Sequence, residues 1–179
     1  MQTFPRLSLI TGGTASGKSR IAEALAIASG LERIYIATAE ARDAEMQTKI
    51  ARHRQDRGPD WQTIEAPLDL CGALRDARPG SVVLVDCLTL WLSNHLLADH
   101  DPEAETTALI AILDDHAGPV VLVSNEVGNS IVPDNALARS FQAAQGRLNQ
   151  RIAAHADLVA TVIAGLPLAL KGVLPPGLE

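Results

Sequence analysis

What this chain lacks narrows the reading first. It has only two cysteines, Cys71 and Cys87, 16 positions apart and without a C-x-x-C arrangement. They read as buried thiols rather than as metal ligands or a disulfide. There is no block of Lys or Arg, and the net charge is −6, which argues against a nucleic-acid partner. No apolar run reaches the length that crosses a bilayer, about 20 residues. No signal peptide is legible, because a strand pattern and a Gly-rich loop begin almost at once, so a cytoplasmic location is expected. Internal repeats, low-complexity stretches and an interdomain linker are also missing. With 47% hydrophobic and 20% charged residues, the 179 residues read as one globular domain, 1–179.

What is present centres on Gly12-Gly13-Thr14-Ala15-Ser16-Gly17-Lys18-Ser19, which fits G-x-x-x-x-G-K-[ST]. Leu7-Ser8-Leu9-Ile10 before it reads as a buried strand. Ile21, Ala22, Leu25 and Ala26 after it recur at helical spacing and stop at Gly30. A strand, a Gly-rich loop and a helix are what phosphate binding needs. Glycines let backbone N–H groups approach phosphate oxygens, and the helix start adds free N–H groups and its dipole. Lys18 supplies a charge for the outer phosphates, and Ser19 a hydroxyl for Mg²⁺.

The remaining pattern alternates strands with helices. Strands are expected at Ile34 to Thr38, Ile64 to Ala66, Ser81 to Asp86, Val120 to Ser124 and Leu158 to Ile163. Helices are expected at Asp43 to Arg57, from an Asp69 cap through Arg75, at Leu88 to Ala98, at Pro102 to His116 and from about Asn135 to His155. On the last, Leu137, Phe141, Leu148 and Ile152 form the expected buried stripe. The tail, with Gly165, Pro167, Gly172, Pro175, Pro176 and Gly177, is expected to be loosely ordered. The fold class is α/β: a P-loop NTPase-like three-layer fold, its sheet mainly parallel, with helices on both faces.

Ser81-Val82-Val83-Leu84-Val85-Asp86 has the Walker-B form, an apolar strand ending in a carboxylate that helps hold Mg²⁺; the alternative is an Asp capping the next helix. Asn125 to Pro133 leaves the carboxyl end of a strand, where open α/β sheets bind ligands. Of the five histidines, His95, His100, His116 and His155 show no metal-ligand spacing and read as surface or helix-end residues. His53 differs, because Lys49, Arg52, Arg54 and Arg57 surround it. Four cations favour a neutral imidazole, and a neutral imidazole beside phosphate-gripping cations suits attack on phosphorus. Periodicity alone favours a plainer account, a solvated polar helix face carrying one histidine.

Together these residues resemble the bifunctional adenosylcobinamide kinase / adenosylcobinamide-phosphate guanylyltransferases of cobalamin biosynthesis. The resemblance runs through Thr11 to Ser19, Tyr35 to Ala39, Asp43 to Arg57, Asp86 to Asn94 and Val123 to Arg139. Gly146, Asn149-Gln150 and Gly165-Leu166-Pro167 through Lys171 complete it. It implies one nucleotide site and two reactions. A γ-phosphoryl group passes from ATP or GTP to adenosylcobinamide. GMP then passes from GTP, by way of a guanylylated histidine, onto adenosylcobinamide phosphate. The resemblance puts that histidine at His53. It puts nucleotide contacts at Gly12 to Ser19, Ala37, Thr38, Ala39, Arg54, Gln55, Asp56, Arg57, Glu65 and Asp86, with Ser19 and Asp86 reaching Mg²⁺ through the nucleotide. It also implies a homo-oligomer, a trimer.

Three departures from the family pattern stand out. Ala15 replaces a loop Arg, Ser130 replaces a Gly, and Gln142-Ala143 replaces an Arg-Asp pair after Phe141. Two rival readings remain. A single-activity P-loop small-molecule kinase would need neither the histidine nor GTP. A GTP switch protein would need Asp-x-x-Gly and Asn-Lys-x-Asp. Here Thr89 stands at i+3 from Asp86, and no Asn-Lys-x-Asp occurs.

Overall fold

A computed structural model describes residues 4–40, 58–129 and 131–178. The expected helix at Asp43 to Arg57, with His53 and its cations, and the departure at Ser130 lie outside them.

Among the described residues, seven strands form one sheet. They are β1 (Leu7–Gly12), β2 (Glu32–Ala37), β3 (Trp61–Glu65), β4 (Ser81–Asp86), β5 (Val120–Asn125), β6 (Leu158–Ile163) and β7 (Leu166–Lys171). The order across the sheet is β3-β2-β4-β5-β1-β6-β7. Every neighbouring pair is parallel except β6 and β7. The mainly parallel α/β reading therefore holds. The central strands are near-continuous Val, Leu and Ile, as burial on both faces demands. Val82 to Val85 and Val121 to Val123 have no exposed surface.

Five helices cover the sheet among the described residues: α1 (Lys18–Ala28), α2 (Leu70–Arg75), α3 (Leu88–Leu97), α4 (Pro102–Asp115) and α5 (Ala136–His155). On one face, Leu74, Trp91, Leu109, Leu113, Leu148 and Ile152 from the last four helices pack on Leu9, Ile36, Val83 and Leu122. On the other, Ile21, Ala22, Leu25 and Ala26 of α1 pack on Ile10, Leu84, Val121 and Val123. Three helix starts are fixed by side chains accepting orphan N–H groups: Asp69 from Gly72, Asp101 from Glu103 and Asn135 from Ala138.

Four expectations need correction. The tail is not loose. Residues 166–171 form β7, and Leu178 is buried against the α1 core. Glycine and proline content hid a two-residue hairpin, Ala164-Gly165, with φ of 52° and 81°; a paired left-handed turn of this kind suits tight hairpins. Pro167 is tolerated because β7 is an edge strand. Strand β3 begins at Trp61 rather than Ile64, because Arg33 to Ala37 offer it a ladder that local pattern does not reveal. Leu137 is 66% exposed, so the buried stripe of α5 begins further along the helix; Phe141 packs at the edge of the core and Ala144, Leu148 and Ile152 within it. Finally, His95 does sit at a helix end, in the last turn of α3, but it is buried rather than at the surface, its ring packed edge-on against Trp91.

Candidate active site: the phosphate loop and its supports

Strand β1 runs into the loop at Gly12, and α1 leaves it at Lys18. The helix begins on Gly17 at φ +95°, a conformation that glycine alone adopts cheaply. No side chain caps α1, so its first N–H groups point into the loop without a capping oxygen, the arrangement that suits an anion. Lys18 is almost wholly buried, with its ammonium 3.0 Å from the Gly13 carbonyl, arched back over the loop. The Ser16 hydroxyl is buried and has no hydrogen-bond partner among the described residues. An orphaned hydroxyl of that kind is costly unless something completes it. Gly13, Thr14 and Ala15 form the exposed rim, with Ala15 itself left-handed at φ 58°, and Ser19 sits half-buried in the first turn of α1.

The hairpin turn between β6 and β7 supports the loop from behind. Gly165 N–H donates to the Ser16 carbonyl at 2.9 Å, and Arg20 donates to the Gly165 carbonyl at 3.1 Å. A Cβ on Gly17 would stand 3.2 Å from Gly165 Cα, tighter than ordinary packing, so the close approach of the turn favours glycine at position 17. Nothing in local pattern marks Gly165 for this role; the signal available was an Ala-Gly pair between two apolar runs.

Asp86 ends β4, but β4 does not adjoin β1. Strand β5 lies between them, and the register passes from Asp86 to Val123 to Ile10. Asp86 is not a helix cap: Cys87 precedes α3 and caps nothing with its side chain. Instead the Tyr35 hydroxyl donates to Asp86 Oδ2 at 3.1 Å, holding the half-buried carboxylate at the sheet's carboxyl edge. The Cys87 thiol beside it is pushed up to about 11 by burial, with the Asp86 charge adding to the effect.

The segment Ala37-Thr38-Ala39 lies beside this carboxylate. Thr38 is fully buried. Its hydroxyl donates to the Cys87 carbonyl at 2.7 Å and accepts from the Cys87 N–H at 2.8 Å, and its own carbonyl accepts from Asn94 at 2.9 Å. Its side chain thus braces the Asp86–Cys87 corner from within. Glu65 is exposed at the end of β3, in register with Ala37.

The loop after β5 closes the other flank. Glu126 N–H donates to the Gly12 carbonyl at 3.0 Å, and Asn125 N–H to Thr89 Oγ1 at 2.8 Å. Behind it, the Ser124 hydroxyl donates to Asn149 Oδ1 at 2.6 Å while Gln145 donates to Ser124 Oγ at 2.8 Å, a buried network fixing α5 to β5. Gln142, one of the departures, donates to the Val127 carbonyl at 2.7 Å and so anchors this loop. Thr89, Asn94, Gln142, Gln145 and Asn149 support the site through partners far away in sequence; the resemblance covers Thr89, Asn94 and Asn149, but no local pattern showed these contacts.

Among solved structures, the chain is similar to the flagellar accessory protein FlaH from Methanocaldococcus jannaschii. The TM-score is 0.52 at 13% identity, over 93% of this chain and 78% of that one. It is also similar to an ATPase of the type III secretion system of pathogenic bacteria, with TM-score 0.55 at 12% identity over 92% and 56% of the two chains. These likenesses establish a P-loop NTPase fold. Among characterised proteins, the bifunctional adenosylcobalamin biosynthesis protein CobP of Pseudomonas aeruginosa is 49% identical over 92% of this chain and 96% of its own. The bifunctional adenosylcobalamin biosynthesis protein CobU of Escherichia coli is 41% identical over 91% and 98%. The family model described as cobinamide kinase / cobinamide phosphate guanyltransferase matches residues 8–170. With its phosphate loop, its strand-end carboxylate and this match along nearly its whole length, the chain belongs to the cobinamide kinase / cobinamide phosphate guanyltransferase family.

Proposed function

We propose that this single domain carries out both reactions at one nucleotide site: phosphorylation of adenosylcobinamide, then transfer of GMP onto the product. The observation that carries the proposal is the loop itself. A buried Lys18, an orphaned Ser16 hydroxyl and an uncapped start of α1 converge where a nucleoside triphosphate's phosphates would lie.

In the first reaction the substrate hydroxyl oxygen attacks the γ-phosphorus. The bond to the β–γ bridging oxygen breaks, the nucleoside diphosphate departs and the hydroxyl proton is released. Loop N–H groups and Lys18 hold the phosphates in line and offset the charge on the equatorial oxygens. In the second, an imidazole nitrogen of His53 attacks the α-phosphorus of GTP and pyrophosphate leaves. A phosphate oxygen of adenosylcobinamide phosphate then attacks the same phosphorus, and the His53 nitrogen departs. Arg54, Gln55, Asp56, Arg57 and Glu65 complete the nucleotide contacts.

The donors at hand fit Mg²⁺, which prefers oxygen ligands. Ser19 lies in the first turn of α1, and the Asp86 carboxylate is oriented by Tyr35. Both would reach the ion through the nucleotide, and the ion would supply charge neutralisation on the transferred group. Among the described residues no helix is long and apolar enough to cross a membrane, consistent with work in the cytoplasm. Ile163, Leu166 and Leu168 are exposed on one face of the β6–β7 hairpin at the sheet's edge, which supports assembly into a homo-oligomer, a trimer in our reading.

The test follows adenosylcobinamide through both steps with purified protein, Mg²⁺ and either ATP or GTP. Adenosylcobinamide phosphate forming with either nucleotide, and adenosylcobinamide-GDP forming only with GTP, is the expected result. A phosphate product that never proceeds would reduce the chain to a single-activity kinase.

A further inference from the structure

Away from the phosphate loop, three side chains come together at the junction of α3 and α4. The Nδ1 atoms of His95 and His100 are 2.8 Å apart, and Glu105 Oε1 lies 3.8 Å from the first and 4.0 Å from the second. Spacing along the chain does not predict this, since i and i+5 lie on different faces of a helix. They meet because α3 ends at Leu97 and Asp99 turns left-handed at φ 57°. His100 N–H then donates to the His95 carbonyl at 3.0 Å, folding the second ring over the first. Asp101 caps α4, and its carbonyl accepts from Glu105 N–H at 3.1 Å, which sets the carboxylate beside both rings.

The chemistry of His95 is settled by its other nitrogen. Nε2 lies 3.1 Å from the Leu68 carbonyl, and a carbonyl only accepts, so Nε2 carries the proton and Nδ1 presents a lone pair. Between the two rings, His95 Nδ1 therefore accepts and His100 Nδ1 donates. An imidazole whose far N–H is pinned by a backbone carbonyl, with its near lone pair aimed at a second imidazole and a carboxylate, is the usual arrangement of a metal-binding histidine. His95 is 3% exposed and packed on Trp91, so the ring is preorganised. A point equidistant from three atoms with these separations lies about 2.1 Å from each, within the range of Zn–N and Zn–O bonds.

We propose that His95, His100 and Glu105 form a binding site for a borderline divalent transition ion of the Zn²⁺ type. Two imidazole nitrogens and one carboxylate suit such ions and disfavour Mg²⁺, whose preference is for oxygen. His95 binds as it stands. His100 gives its Nδ1 lone pair by carrying its single proton on Nε2 instead, a tautomer shift that releases no net proton. The His100 and Glu105 side chains are 45% and 33% exposed, which leaves an open side for water ligands.

The experiment titrates Zn²⁺ into the metal-stripped full chain against a chromophoric chelator, with Mg²⁺ in excess to occupy oxygen-donor sites. Wild type is compared with His100→Ala and Glu105→Gln, both at partly exposed positions that spare the core. The expected result is one tight equivalent in wild type and at least about a tenfold loss of affinity in each variant. Zn²⁺ should also raise the wild-type thermal midpoint and leave that of both variants in place. A wild-type protein with no competed equivalent, or either variant retaining wild-type affinity, overturns the site.

Discussion

The Gly165 N–H donates to the Ser16 carbonyl at 2.9 Å, joining the turn of the β6–β7 hairpin to the middle of the phosphate loop. Gly165 sits at φ +81°, where a side chain is strained, and its Cα would be 3.2 Å from a Cβ on Gly17. The loop's shape therefore depends on a turn some 150 residues away along the chain. Gly165→Val adds a β-branched side chain in the left-handed region, a strain of roughly 1–2 kcal/mol. It is expected to weaken nucleotide binding about fivefold or more, measured by direct titration. Unchanged affinity would show that the loop holds its shape without this support.

Lys18→Ala is expected to lower both reactions by at least about 100-fold, because both need the triphosphate positioned and its charge offset at the same loop. The two rates are read separately, with adenosylcobinamide and with its phosphate as substrate. Near-normal kinase turnover in this variant would refute a shared site.

Asp86 and Tyr35 make a graded pair. Asp86→Ala removes the carboxylate and is expected to raise the Mg²⁺ needed for half-maximal rate by more than about tenfold. Tyr35→Phe leaves the carboxylate but deletes the donor 3.1 Å from Oδ2, so a smaller rise, about threefold, is expected. A Mg²⁺ dependence that neither change moves would leave Asp86 as a structural residue only.

His53 is expected to separate the two activities. Attack at the γ-phosphorus leaves nothing on the protein, whereas guanylyl transfer through an imidazole leaves a phosphoramidate, which acid cleaves and base does not. GTP labelled at the α-phosphate is expected to tag wild type acid-labilely. His53→Ala should take up no label and make no adenosylcobinamide-GDP, yet still phosphorylate adenosylcobinamide. Label on the variant, or loss of both activities together, would remove His53 as a dedicated nucleophile.

Both thiols are expected to be inert in the folded protein. Burial raises Cys71, and it raises Cys87 to about 11 from an ordinary value near 9. At neutral pH the reactive thiolate of Cys87 is scarce, so alkylating reagents should modify it only as the protein unfolds. The same shift means that the native state keeps a proton the unfolded chain gives up between pH 9 and about 11. Stability contributed by Cys87 is therefore complete below pH 9 and declines as pH rises through that window; Cys87→Ala should flatten this part of an unfolding curve. Rapid modification of native Cys87 at pH 7 would contradict its burial.

The phosphate loop, the strand-end Asp86 and the parallel alternation were legible in sequence, because each is a local pattern: a glycine spacing, an apolar run, a helical period. The residues that hold the site in place were not. Gly165 looked like part of a loose tail, since glycine and proline mark turns without saying what the turn will touch. Thr38 and Asn94 stood within segments that the family resemblance marks, but nothing there showed that their side chains brace the Asp86–Cys87 corner and the Thr38 carbonyl, and His95 and His100 stood at a spacing that no helix brings together.

Sequence by itself determined that this chain is a P-loop protein, with a Gly-rich loop between a strand and a helix and a carboxylate at the end of a second strand, since those features lie within a few consecutive residues whose backbone and side-chain chemistry act locally. Tertiary structure alone decided that β5 separates β1, which leads into the phosphate loop, from β4, which ends in Asp86, that a hairpin turn braces the loop, and that two histidines and a glutamate share one corner. Strand order and turn contacts follow from how apolar faces are shared across the whole sheet, a balance of many long-range contacts that no short window of residues contains.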